Sequence, residues 1–358
     1  MNRFRFFVLC SLLLVAATVR AAPCTSATEA CTEWVTVAGG PGRSLVYRSF
    51  ALDTRNEAVT RALVMVHGAS RDAHNYFRHA LAAAFLAGAL EDTVVIAPRF
   101  ASNDGRSCLD VLAPNELNWK CEGADTWRSG AAAADNPKAT SYDLADEILR
   151  KLADRRVFPN LKAIVVAGHS AGGQFATRYQ MANRVHERLG VPVTYVVANP
   201  SSYAYLDSLR PTASAVVSSV PAAPPGYVPP PPAVPPPPFA PFSDARNCAT
   251  YDTWPYGLQK RTGYAAGIAD EQLKKQLAAR PATYLVGELD ILPLYGFDSS
   301  CPAMAQGATR LARGLAYGRY VNERYGAHHQ TLVVPACGHS ARCMFTADPV
   351  LPLIFPKQ

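Results

Sequence analysis

Ala163-Ile164-Val165-Val166-Ala167-Gly168-His169-Ser170-Ala171-Gly172-Gly173-Gln174-Phe175 is the stretch on which the fold turns. Its first five residues are apolar without polar alternation, which is how a strand covered on both faces reads. Its end opens a helical pattern in which Phe175, Tyr179, Ala182 and Leu189 recur. Between the two stands Gly168-x-Ser170-x-Gly172, in the strand–turn–helix setting that a nucleophile elbow requires. The glycines answer a steric need. At so tight a turn the residues two before and two after the serine approach closely and leave no room for side chains. The turn lifts the Ser170 hydroxyl clear of the backbone, and the helix N-terminus behind it favours developing negative charge.

Working outward, residues 34–37 and 44–50 read as an opening antiparallel pair. The runs 62–66, 93–97, 163–167, 193–198, 283–286 and 331–334 read as buried strands. Helical patterns lie between them: Leu144, Ile148 and Leu152 share one face, and Leu311, Leu315 and Val321 suggest another helix. Strand–helix alternation of this kind predicts an α/β fold, a mostly parallel central sheet with helices on both faces.

A serine hydroxyl is a weak nucleophile without a base. In folds built around such an elbow the chain order is serine, acid, histidine. That order sets aside His67, His74, His79 and His169. His186 falls in the predicted helix after the elbow, and His328 and His329 precede the last strand. His339, in Pro335-Ala336-Cys337-Gly338-His339, follows that strand and is the candidate base. The acid belongs after the penultimate strand, where Gly287-Glu288-Leu289-Asp290 offers Asp290, with Glu288 and Asp298 as competitors. Such an acid accepts the imidazole Nδ1–H and fixes the tautomer. A tetrahedral intermediate needs donors. The backbone N–H of Ala171 is one. Ala69, after the strand that ends in His67-Gly68, is the other, with Ser70 as the alternative.

Strand–His67-Gly68, the Gly168–Gly173 elbow, Gly287-x-x-Asp290 and Gly338-His339 together resemble the α/β-hydrolase superfamily over roughly residues 40–352. More narrowly the chain resembles secreted bacterial serine esterases, including polyester depolymerases and feruloyl esterases. The resemblance implies hydrolysis of carboxylic esters, small or polymeric, through an acyl-enzyme, with no cofactor and no metal. A peptidase or amidase would use the same triad. A non-catalytic binding protein is the third reading, and relatives of that kind normally lose a triad member. Tyr203, in Asn199-Pro200-Ser201-Ser202-Tyr203 after the sixth strand, is a weaker substrate-binding candidate. So is Trp127, with Trp119 and Trp254. Packing under loops is the competing role for the tryptophans.

Composition sets the outer limits. Of 358 residues 49% are hydrophobic and 18% charged, enough to bury a sizeable core. Residues 1–21 read as a secretory signal: Arg3 and Arg5 precede an apolar run, and Val19 and Ala21 stand three and one positions ahead of a cut before Ala22. Loss of Arg3, Arg5 and Arg20 takes the net charge from +7 to +4. No Lys/Arg cluster suggests nucleic acid, and no later stretch reaches membrane-spanning length. Eight cysteines remain, at 24, 31, 108, 121, 248, 301, 337 and 343. An even number suits disulfides and a secreted or periplasmic location. Pairing of sequence neighbours gives 24–31, 108–121, 248–301 and 337–343. The mature chain, 22–358, is expected to be a single domain with an insertion at about 201–275. Within it, residues 221–242 hold twelve prolines. That stretch is expected to be extended or without a core of its own, as an exposed loop, a lid or an attachment site for another protein.

Overall fold

A computed structural model describes residues 21–37, 40–212, 237–294 and 296–357. The signal reading, residues 1–20 above all, and residues 221–236 of the proline-rich stretch lie outside these. An eight-stranded sheet runs in the order β1-β2-β4-β3-β5-β6-β9-β10. Its strands are β1 (Thr32–Thr36), β2 (Arg43–Arg48), β3 (Arg61–Val66), β4 (Thr93–Pro98), β5 (Ala163–His169), β6 (Val193–Ala198), β9 (Ala282–Gly287) and β10 (Gln330–Val334). β1 and β2 pair antiparallel, as does β2 with β4, and the other pairs are parallel.

Both faces are covered, which is why these strands carry no polar alternation. On β3, Ala62, Val64 and Val66 point into one core and Leu63 and Met65 into the other. The first core is shared with α2 (Ser141–Ala153), α3 (Ala171–Ala182), α4 (Asp270–Ala279) and α6 (Arg310–Tyr325). The second is shared with α1 (Ala73–Leu86), α7 (Ala341–Thr346) and α8 (Leu351–Ile354). A short α5 (Cys301–Met304) follows the loop after β9. No described helix is long and apolar enough to cross a membrane.

Three expectations need correction. The helix after Ser170 stops at Ala182, where Asn183 (φ −48°, ψ 127°) leaves the helical conformation, so Leu189 lies beyond it and His186 falls in a separate turn. The buried face of α6 is not the one carrying Leu311 and Leu315. Leu315 is exposed, and Arg310, Arg313, Gly314, Tyr317, Gly318 and Val321 face inward. The two glycines allow close approach: a Cβ at Gly314 would stand 2.2 Å from Val286 Cγ1, and one at Gly318 2.0 Å from Thr331 Oγ1. The end of the proline-rich stretch is ordered into structure. Phe239–Pro241 forms β8, paired antiparallel with β7 (Leu209–Pro211), and Phe239 packs edge-on against Tyr320.

All four expected cysteine pairs are bridged: Cys24–Cys31, Cys108–Cys121, Cys248–Cys301 and Cys337–Cys343.

Candidate active site

Ser170 sits at φ 58°, ψ −118°, between β5 and α3. This is a sparsely populated conformation for a residue with a Cβ, and its surroundings enforce it. A Cβ at Gly168 would lie 2.1 Å from Gly172 O, and one at Gly172 would lie 2.2 Å from Val66 O. The turn therefore closes only with glycine at both positions. Ser170 N–H donates to Ala198 O at 2.9 Å, which pins the turn to the end of β6.

The loops after β9 and β10 come to the same edge. His339 Nε2 is 2.9 Å from Ser170 Oγ, and His339 Nδ1 is 2.7 Å from Asp290 Oδ2. Ser170, Asp290 and His339 are thus joined in one hydrogen-bonded chain, although 120 residues separate the serine from the acid along the sequence. Glu288 is turned elsewhere, accepting from Ala336 N–H at 2.8 Å, and Asp298 accepts from Tyr256 OH at 2.8 Å.

Asn199 holds the two loops in register. Its Oδ1 accepts from Gly287 N–H at 2.8 Å and its Nδ2 donates to Gly338 O at 3.3 Å. The Cys337–Cys343 bridge ties the His339 loop to α7.

The loop after β3 is set by His67. Its Nε2 accepts from Phe100 N–H at 3.0 Å, so Nδ1 carries the proton and donates to Gly68 O at 2.8 Å. Burial lowers the His67 pKa to about 4, which keeps the ring neutral. Fixing the Gly68 carbonyl fixes the trans peptide that follows it, and the Ala69 N–H points the opposite way. Neither the Ala69 nor the Ala171 N–H has an acceptor among the described residues. His169 packs beside His339, ring centroids 4.6 Å apart. Burial, then the nearby His339, hold its pKa well below the usual histidine value. A neutral neighbour of this kind does not repel an imidazolium at His339.

The two weaker candidates lie inside the core. Trp127 is stacked on Phe100 with centroids 4.9 Å apart, and Tyr203 is stacked on Tyr317 at 4.3 Å. Both are essentially inaccessible, so packing describes them, as it does Trp119 and Trp254.

Residue-level reading of the sequence missed Arg310. Its guanidinium Nη1 is 3.3 Å from Asp290 Oδ1, and its Nε donates to Ser201 Oγ at 2.8 Å. The available signal was the Arg310/Arg313 pair at the start of a helix whose glycines mark the buried face.

A family profile described as alpha/beta hydrolase family matches residues 63–352. The chain belongs to that family. Among solved structures, this α/β-hydrolase is similar to the poly(3-hydroxybutyrate) depolymerase LpqC from Bordetella parapertussis, with 21% identity and a TM-score of 0.54 over 88% of this chain and 84% of that one. It is also similar to poly(aspartic acid) hydrolase-1 from Sphingomonas sp. KT-1, with 18% identity and a TM-score of 0.55 over 90% and 97% of the two chains. At these identities the likeness is one of fold. No curated protein sequence matches the chain.

Proposed function

We propose that this α/β-hydrolase is an exported serine hydrolase that cleaves carboxylic esters through an acyl-enzyme. The observation that carries the reading is the position of His339, within hydrogen-bond reach of both Ser170 Oγ and Asp290 Oδ2. Ser170 Oγ attacks the ester carbonyl while His339 Nε2 takes its proton. Asp290 holds the Nδ1–H and stabilises the imidazolium. The Ala69 and Ala171 N–H groups receive the oxyanion. Collapse of the tetrahedral intermediate expels the alcohol, which takes the proton from His339. Water, deprotonated in turn by His339, then releases the acid. Four disulfides support an oxidising compartment.

The test is labelling of the oxidised, folded protein with a fluorophosphonate probe, mapped by peptide sequencing, beside rates on matched ester and amide substrates. The expected result is an adduct at Ser170 that is lost in Ser170→Ala and strongly reduced in His339→Ala, with esters cleaved faster than amides. A folded sample that neither labels nor hydrolyses overturns the reading.

A further inference from the structure

Beside the elbow lies a polar pocket of about 230 Å³ whose walls include Arg128, Gln174, Arg178, Ser202 and Tyr256. Gln174 stands one turn along α3 from Ser170, about 5.4 Å of helix. Ser201, also in the wall, is the residue held by Arg310 behind Asp290. The pocket therefore shares α3 and the loop after β9 with the Ser170 site.

Its chemistry is cationic. Arg178 is 1% exposed. Its Nε donates to Pro255 O at 3.0 Å and its Nη2 to Ser202 Oγ at 3.1 Å. Gln174 Nε2 donates to the same Ser202 oxygen at 2.7 Å. That hydroxyl accepts twice, so its own proton is left to donate. Arg128 Nε donates to Thr126 Oγ1 at 3.0 Å and its Nη2 to Cys121 O at 3.2 Å. Among the described residues neither guanidinium meets a carboxylate, whereas the buried Arg210, Arg280 and Arg310 each do. Asp298 is the one acid in the wall. Its oxygens accept from Tyr256 OH, Ser300 N–H and Ser300 Oγ, and its charge acts on both guanidiniums without a direct ion pair. Arg313, donating to Asp298 O at 2.9 Å, adds a further cation behind it.

Two guanidiniums share the single carboxylate of Asp298, which leaves the pocket with a net positive charge. Net charge out of water is costly, and a guanidinium fork matches a carboxylate in shape and hydrogen-bond count. We propose that this pocket binds a carboxylate carried by the substrate, so that the preferred ester is a monoanion such as a half-ester of a short dicarboxylic acid. This rests on the hydrolase reading of Ser170.

Two measurements separate the proposals. The first compares 4-nitrophenyl hydrogen glutarate with 4-nitrophenyl pentanoate, which share a leaving group and chain length. The wild-type kcat/KM is expected to favour the anion at least tenfold, mostly through KM. The ratio is expected to fall toward unity in Arg128→Gln and Gln174→Glu and to recover in Arg128→Lys, with folding followed by Tm. Equal or reversed preference in a protein that labels at Ser170 overturns the anionic substrate and leaves the hydrolase intact. The second measures calorimetric binding of monomethyl glutarate and dimethyl glutarate to Ser170→Ala. At least tenfold tighter binding of the anion is expected. Parity overturns the carboxylate pocket whatever the kinetics. Failure of labelling at Ser170 overturns the hydrolase reading, and the binding comparison then decides the pocket alone.

Discussion

Arg310 and His339 grip opposite oxygens of the same carboxylate: Arg310 Nη1 is 3.3 Å from Asp290 Oδ1, and His339 Nδ1 is 2.7 Å from Asp290 Oδ2. Both Asp290 and Arg310 are almost wholly buried. Asp290 is thereby held on both oxygens, by Arg310 on one and by His339 on the other.

Replacing the arginine tests that grip. Arg310→Met leaves a buried carboxylate short of its cation, and breaking such a pair typically costs about 3–5 kcal/mol. Ester turnover is expected to fall on the order of 10- to 100-fold through misplacement of His339. Tm together with the fluorophosphonate labelling rate measures both, and an unchanged rate in a folded variant contradicts the positioning role.

Gly172→Ala is a change of one methyl with a large expected effect. Its Cβ would stand 2.2 Å from Val66 O and 2.6 Å from His67 O, so β3 or the elbow must shift. Overpacking of this kind costs about 1–3 kcal/mol or more, and labelling at Ser170 is expected to be lost before the fold is. Retention of full labelling contradicts the close-approach argument.

Acid is expected to begin destabilising the protein above the usual carboxylate range. Burial lowers the pKa values of His67 and His186 to about 4, against an unperturbed 6.5. Below 6.5 the unfolded chain takes up protons that the folded one refuses, so stability is lost as pH falls from 6.5 toward 4. His169 and His329 are lowered as well, chiefly by burial. Asp146 works against them. Burial raises its pKa from 3.8 to about 6, so the folded state gains a proton, and stability, as pH falls through that window. Several histidines outweigh one aspartate. Tm is expected to be level above pH 7 and to drop steadily between pH 6.5 and 4, more steeply in Asp146→Asn. A Tm that rises on acidification contradicts this balance.

The Cys248–Cys301 bridge spans 53 residues and joins the segment between β6 and β9 to α5, beyond the Asp290 loop. In the chain-entropy picture closing a loop of that length is worth about 4 kcal/mol. Cys248→Ser with Cys301→Ser is expected to lower Tm by more than the equivalent double change at Cys24 and Cys31, whose loop is only 7 residues long. Equal losses in parallel thermal scans contradict that ranking.

The central strands and the elbow were legible because continuous burial and close approach leave direct marks: unbroken β-branched runs, and glycine where a Cβ cannot fit. Asp290 and His339 were legible through chain order and their position just past strands. Arg310 was not, because a buried arginine looks the same in sequence as a solvated one. The inward face of α6 follows glycines and tyrosines, not the leucines that periodicity favours. The pocket of Arg128, Gln174 and Arg178 was equally hidden, since its walls come from segments far apart in the chain and only the fold brings them together. Trp127 and Tyr203 mislead in the opposite direction, since large aromatics in irregular segments serve as packing more often than as ligand contacts.

β7 and β8 give the proline-rich segment a property of its own. Thr212 and Pro238 close the β7–β8 pair, with Thr212 N–H donating to Pro238 O at 2.9 Å. The two ends of the intervening stretch are therefore adjacent. Loop-closure entropy grows only slowly with length. Because the two flanking residues already meet across β7 and β8, a change in the number of residues between Thr212 and Pro238 alters the cost of closing that pair only slightly.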